Sequence, residues 1–358
     1  MDGGTGDVDN VQLRELGTVV EELLAERGDP PDQQGYDHSL WNDLVHNGFA
    51  HVGIPESAGG SGGGPLEAAV VLRAVGRQAA AVPLADAVLA GWLLAACGRD
   101  IPDGLAVFAN GELTTVDDGD GTRVTGRLVR VAGGRDCHTV IAFAETGRVG
   151  SEVVVAIPME ACSIITGRNL AGEPRDDLIV DTVLSPSAVS PAPSGAVAEL
   201  RLRGALSRAV LSAGAMAGLV DTTVRYVLER QQFGRPLAAF QSVQQSVALL
   251  AAEAAAAQAA ADAAVRIGVE HGFSSPTAKF AIAAAKVRTA EAATAGAAAA
   301  HQLHGAIGMT LEHPLRRLTA RLWSWRTEWG GQQEWAEYLG RTATVAGGVG
   351  LWAALTDA

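Results

Sequence analysis

The sequence predicts an α+β fold, mainly α, laid out as an N-terminal helical domain over residues 1–104, a small antiparallel β domain over 105–193 and a C-terminal helical bundle over 194–358. Three observations carry the prediction. Apolar residues recur at helical spacing in both outer parts, short β-branched runs broken by glycine and proline fill the middle, and alanine dominates from Val197 onward. A chain of 358 residues has room for two or three domains at roughly 100–200 residues each.

In the first part, Val19, Leu23 and Leu24 line one helical stripe, and Leu40, Leu44 and Val45 line another. The glycine-rich turn cluster from Pro55 to Pro65 opens a further helix from Leu66 to Val75. The most apolar window, Ala79–Cys97, is alanine-rich and holds Pro83 and Asp86, so it falls short of a membrane span and predicts a buried helix. From about Leu105 the period becomes that of strands. Val124, Leu128 and Val129, then Thr139–Phe143, Val153–Ile157 and Ser163–Ile165 are β-prone runs, punctuated by Gly133, Gly134, Gly147 and Pro158. Gly119-Asp-Gly121 reads as a hairpin turn, and Pro186, Pro191 and Pro193 as a stiff exit linker. Beyond it, Val220, Val224 and Val227, and again Val243, Val247 and Leu250, keep i, i+4, i+7 spacing. Alanine faces let helix axes approach closely, as in a long antiparallel bundle. No internal repeat is visible.

Hydrophobic residues make up 48% of the chain and charged residues 19%, which excludes disorder. A formal net charge of −13 excludes a protein that coats nucleic-acid phosphates. Three cysteines, Cys97, Cys137 and Cys162, are too few and too scattered for a disulfide framework or a thiolate metal site. With an acidic, glycine-rich start unlike a signal peptide, they imply a cytoplasmic protein. Lysine occurs only at Lys279 and Lys286, which reads as coding bias.

The segment Arg230-Gln-Gln-Phe-Gly-Arg-Pro-Leu-Ala-Ala-Phe-Gln241 carries the most chemistry. A helix ends near Arg230, Gly234 permits a turn, and a new helix starts around Ala238. Arg230 offers a planar fork suited to a phosphate group. Phe233 and Phe240 can stack or pack, and Gln232 and Gln241 supply adaptable hydrogen bonds. On chemistry alone the segment is equally readable as a helix corner with a capping arginine.

These residues resemble the arginine-x-x-phenylalanine-glycine signature of the acyl-CoA dehydrogenase family, including its later phenylalanine-glutamine pair. Gln302-Leu-His-Gly-Ala-Ile-Gly308, with Glu312-His-Pro314 after it, is similar to the family's glutamine-x-x-glycine-glycine-x-glycine turn. Gly53-Ile-Pro-Glu-Ser-Ala-Gly-Gly60 resembles its proline-glutamate-x-x-glycine-glycine loop. The matches span most of the chain in the family's order. The resemblance implies that the C-terminal domain is a four-helix bundle and that FAD lies across a subunit interface. Arg230 would then face the FAD pyrophosphate of the neighbouring subunit, Gln232, Phe233, Gly234, Phe240 and Gln241 would border its phosphates or adenosine, and Gln302, Gly305 and Ala306 would form the turn that lets backbone approach the cofactor. His304, inside that turn, reads as a structural histidine. The implied reaction is α,β-dehydrogenation of an acyl-CoA thioester. A carboxylate takes the α-proton, the flavin takes the β-hydride, and electrons pass on to an acceptor flavoprotein.

The sequence departs from the family at two places. Counted without gaps, the base position holds Trp329, with Glu328 one residue earlier as the candidate catalytic carboxylate. The alternative base position, on an earlier helix, is Gly204, with no acid in 201–208 and Glu199 and Glu334 as outsiders. The flavin-contacting loop of the middle sheet corresponds to Phe108–Thr115, which lacks the family's motif. The interface half of an FAD site is therefore expected and the flavin-ring half is not. This asymmetry resembles heteromeric members, in which one chain completes the site of a sister chain in a heterodimer or heterotetramer. Alternatives are a self-sufficient homo-oligomeric dehydrogenase, a flavin-free assembly subunit, and a flavin oxidase or monooxygenase on the same fold.

Overall fold

The computed structural model describes residues 5–26, 35–119, 121–147, 151–310 and 313–356. Asp120 of the expected hairpin turn and Glu312 of the segment before Pro314 lie outside them. The chain divides into two compact units, one of Met1–Asp32, Pro65–Ala80 and Arg201–Ala358, the other of Gln33–Gly64 and Ala81–Leu200.

The second unit is a sheet with two helices. Helix α2, His38–His46, is capped by Asp37, whose carboxylate accepts the Leu40 N–H at 2.9 Å. Helix α4, Leu84–Ala96, covers most of the apolar window and is buried on nearly every side, as its lack of a polar face requires. The strands are β1 (Ala106–Phe108), β2 (Asn110–Asp117), β3 (Thr122–Ala132), β4 (Thr139–Thr146), β5 (Glu152–Pro158), β6 (Cys162–Ile165), β7 (Arg175–Leu184) and β8 (Val189–Pro191). All the β-prone runs become strands. Their order is β6-β7-β3-β2-β4-β5-β8, with β1 beside β4. The inward side chains Leu113, Val124, Leu128, Val140, Val154, Ile157 and Leu178 are at most 2% exposed.

The sheet is antiparallel except at β4, which pairs in parallel with both β1 and β2. The pairing along β4 is uneven in register. Phe108 pairs with Ile141 and Thr114 with Glu145, so residues 109–113 lie opposite the shorter 142–144. The surplus residues splay β2 away from β4, while β2 stays paired with β3 along its whole length. The proline-rich exit also differs from a plain linker. Its Val189–Pro191 forms the edge strand β8 on β5, a place where proline's missing N–H costs no ladder bond.

The first unit is helical: α1 (Thr5–Glu26), α3 (Pro65–Arg77), α5 (Ala196–Glu229, from Arg201), α6 (Gln241–His271), α7 (Pro276–His304), α8 (Pro314–Trp325) and α9 (Gln332–Thr356). Helix α7 is the hub, packed against α6, α8 and α9, and its buried face is largely alanine. Arg77 ties three elements together, reaching Glu21 of α1 at 3.1 Å and Asp221 of α5 at 2.8 Å. Among the described residues one helix, α6, has the length and hydropathy of a membrane span. It is an alanine-rich bundle helix packed on α7 and α3.

Candidate functional site

Helix α5 ends where Arg230 donates its N–H to the Tyr226 carbonyl at 2.8 Å. The chain does not re-enter a helix at Ala238. Gln231–Gln232 (β9) and Arg235–Pro236 (β10) pair as a two-stranded hairpin whose two-residue turn is Phe233-Gly234. Both turn residues have positive φ, +52° and +79°, the requirement of a type I′ turn and the reason a glycine stands at 234. A short 3₁₀ turn follows, and α6 starts at Gln241. Phe233 is 89% exposed and meets Phe240 edge to face at 6.1 Å. Arg235, which the sequence reading passed over, lays its guanidinium on the Phe240 ring at 4.1 Å. Arg230, Gln232, Gly234 and Gln241 are all exposed.

The Gln302 turn closes α7. Gln302, Gly305 and Ala306 are exposed, while His304 between them is 3% exposed. Its ring lies face to face with Tyr226, centroids 4.3 Å apart and planes at 22°, and the Tyr226 hydroxyl donates to the His304 carbonyl at 3.2 Å. Tyr226 sits one turn before Arg230. The structure therefore brings the Arg230 end of α5 and the Gln302 end of α7 together in one unit. His304 Nδ1 donates to the Ala300 carbonyl at 2.8 Å, and His313 stands edge-on at 5.0 Å. Burial holds the His301, His304 and His313 rings below the usual histidine range.

Glu328 is elsewhere in this unit and is already engaged. Its carboxylate accepts from Arg208 Nε at 2.6 Å, with side chains only 11% and 3% exposed. Lys286, 1% exposed, lies close enough to feel both charges. Its ammonium donates to the carbonyls of Trp325 (2.8 Å) and Arg326 (3.4 Å), closing the end of α8. Burial first, then Arg208, lowers its pKa to about 7, against an opposing pull from Glu328. So Lys286 has a structural role, whatever the cause of lysine's scarcity in the chain. A lysine inside an alanine face of the hub helix was the signal that could have found it.

The next residue, Trp329, turns through φ +60° and donates nothing acidic to the unit's interior. Its carbonyl accepts from Trp335 Nε1 at 3.1 Å, and its indole lies on Gly204 so closely that a Cβ there would come within 2.2 Å of the ring. The two positions that the family resemblance gives to a base thus lie against each other, one filled by an indole and the other vacated by a glycine.

In the other unit, the splay between β2 and β4 opens a cavity of about 360 Å³. Phe108 and Phe143, edge to face at 5.9 Å, form an apolar part of its lining, and Glu112, Glu145 and Glu152 contribute carboxylates. This is where Phe108–Thr115 lies. Burial pushes the Cys137 thiol up to about 12 and the Cys162 thiol up to about 11, so neither is a thiolate nucleophile at neutral pH.

The described residues thus combine a helical unit, whose helix ends carry an exposed arginine and a glycine turn, with a separate sheet unit. The family models for the acyl-CoA dehydrogenase C-terminal domain and N-terminal domain match residues 199–336 and 12–100. Acyl-CoA dehydrogenase IpdE2 of Mycobacterium tuberculosis is 30% identical over 84% of this chain and 87% of its own. The chain belongs to the acyl-CoA dehydrogenase family, oxidoreductases that act on acyl-CoA. Its fold is similar to that in the ChsE4-ChsE5 complex from Mycobacterium tuberculosis (TM-score 0.79, 24% identity, 92% of this chain and 96% of that one). It is also similar to a glutaryl-CoA dehydrogenase from Mycobacterium smegmatis in complex with FADH2 (TM-score 0.80, 17% identity, 92% and 94%).

Proposed function

We propose that this chain is an FAD-interface subunit of an acyl-CoA dehydrogenase, supporting α,β-dehydrogenation of an acyl-CoA thioester together with a sister chain of the same family. Arg230, with Gln232, Phe233, Gly234, Phe240 and Gln241, holds the pyrophosphate and adenosine half of an FAD bound mainly by the sister. Gln302, Gly305 and Ala306 supply the backbone turn. The exposed arginine beside an exposed glycine turn fits a dinucleotide phosphate, because guanidinium and backbone N–H groups both donate to phosphate oxygens. The bound flavin would accept the β-hydride. The sister chain would supply the base.

The observation that carries this reading is the Trp329–Gly204 contact. A general base must reach the substrate α-carbon; an indole has no proton-accepting group, and Gly204 has no side chain. Glu328, next in line, is committed to buried Arg208. The presence of FADH2 in a glutaryl-CoA dehydrogenase of the same fold, and the pairing of two chains named in the ChsE4-ChsE5 complex, support a flavin-dependent heteromer. The test is flavin absorbance of the chain purified alone and co-purified with its genomic neighbour. Yellow only in the co-purified sample is expected. A yellow, active chain in the absence of any partner overturns the reading, and so does a colourless complex.

A further inference from the structure

Arg230 and Gln302 each stand at the loose end of a long helix, exposed, where side chains and last turns keep the most freedom. One dinucleotide can meet both ends at once only if they keep a fixed spacing. One contact is built to do that. Tyr226 lies four residues before Arg230 on α5, and the Arg230 N–H closes on its carbonyl. His304 lies two residues after Gln302 and directly before Gly305. The two rings stack at 4.3 Å, and the Tyr226 hydroxyl holds the His304 carbonyl, the last one before the turn leaves the helix at Gly305. His304 cannot drift. It is 3% exposed, anchored through Nδ1 to the Ala300 carbonyl, and backed by the His313 ring.

We propose that Tyr226 is a positioning residue for the cofactor. Through its stack and hydroxyl on His304, it fixes the spacing of the Arg230 fork and the Gln302–Ala306 turn, so that the two act as one dinucleotide clamp. This rests on the interface reading above. Tyr226 itself touches no cofactor; it acts by removing freedom that binding would otherwise have to remove, which is how preorganised sites gain affinity.

The test titrates FAD into the flavin-stripped assembly, the form of the protein that is yellow when purified, and records melting of each variant. Tyr226→Leu, which deletes ring and hydroxyl, should weaken FAD binding about tenfold or more. Tyr226→Phe, which keeps the ring and gives up the hydroxyl, should fall between it and the parent. Leu219→Ala, a truncation at a fully buried α5 position seven residues before Tyr226, controls for lost stability alone. Retained affinity in Tyr226→Leu overturns the positioning role. So does a loss that Leu219→Ala reproduces at equal melting temperature, because that would be a folding effect. If Arg230→Ala binds FAD as the parent does, the interface reading itself fails, and the clamp with it.

Discussion

Glu328→Gln separates a base from a structural anion in one substitution. The parent buries two cations, Arg208 and Lys286, beside this carboxylate, with Arg208 Nε 2.6 Å from Oε2. Deleting one partner of a buried ion pair costs about 3–5 kcal/mol. The glutamine oxygen still accepts the Arg208 N–H, which offsets about 1 kcal/mol and leaves a loss of about 2–4. At roughly 2–4 °C per kcal/mol for a body of 150–250 residues, the helical unit should melt on the order of 10 °C lower. The deficit should depend on pH with a definite sign. Lys286 has its folded-state pKa lowered from 10.5 to about 7, so its burial penalty is full below about pH 7 and is relieved as pH rises towards 10.5. Only the charged amine misses the carboxylate. The gap between parent and variant should therefore narrow between about pH 6 and about pH 9. Thermal melts at both pH values read the stability, and turnover of the assembled complex, measured well below the lower midpoint, reads the chemistry. A general base is worth about 10²–10⁴ in rate. A fall of that size in Glu328→Gln would refute its assignment as a structural anion, and an unchanged melting point would refute the energetics.

Arg230→Ala should lower FAD affinity by about 1.5–3 kcal/mol, the value of a charge-assisted phosphate bond, while leaving the melting point alone because the residue is exposed; equilibrium dialysis against FAD checks this. Buried His304 and half-buried His301 and His313 have folded pKa values below their ordinary 6.5. Their stabilising contribution is therefore full above about pH 6.5 and lost as pH falls below it, and His304→Asn should flatten the acid limb of a melting-point profile. In the sheet unit, Asp176 is fully buried and accepts from the Arg135 guanidinium and from the N–H groups of Gly167 and Arg135, both at 2.9 Å. Asp176→Ala should cost about 1–3 kcal/mol for each buried donor left unpaired, read by urea unfolding.

Much of this was legible locally. The β-branched runs became strands because period-two alternation and a buried face select each other, and Ala79–Cys97 became a buried helix because it has no polar side to show to water. The Phe233-Gly234 turn was marked by its glycine, but not that its flanks would pair as strands. Two residues of ladder leave almost no pattern, and the helix restart slid from Ala238 to Gln241 as a result. The parallel pairing at β4, and the surplus of residues on its partner side, join segments some thirty residues apart, and neither segment encodes them alone. The role of Lys286 was not legible because composition does not show where a lysine is placed; the carbonyls of Trp325 and Arg326 reveal its use. The indole on Gly204 joins residues 125 positions apart, and no local preference of either announces it.

That contact also sets the terms on which this chain could change. A carboxylate introduced at Gly204 alone would drive its Cβ to 2.2 Å from the Trp329 ring, a separation no side chain tolerates. A glutamate at Trp329 alone would empty the space of a half-buried indole and set an extra carboxylate beside an ion pair already balanced without it. Each single step descends in fitness whichever residue moves first, and only the paired exchange restores both volume and charge. The two positions are an epistatic lock: once an indole and a glycine have settled against one another, a carboxylate at either position is far easier to keep out than to regain.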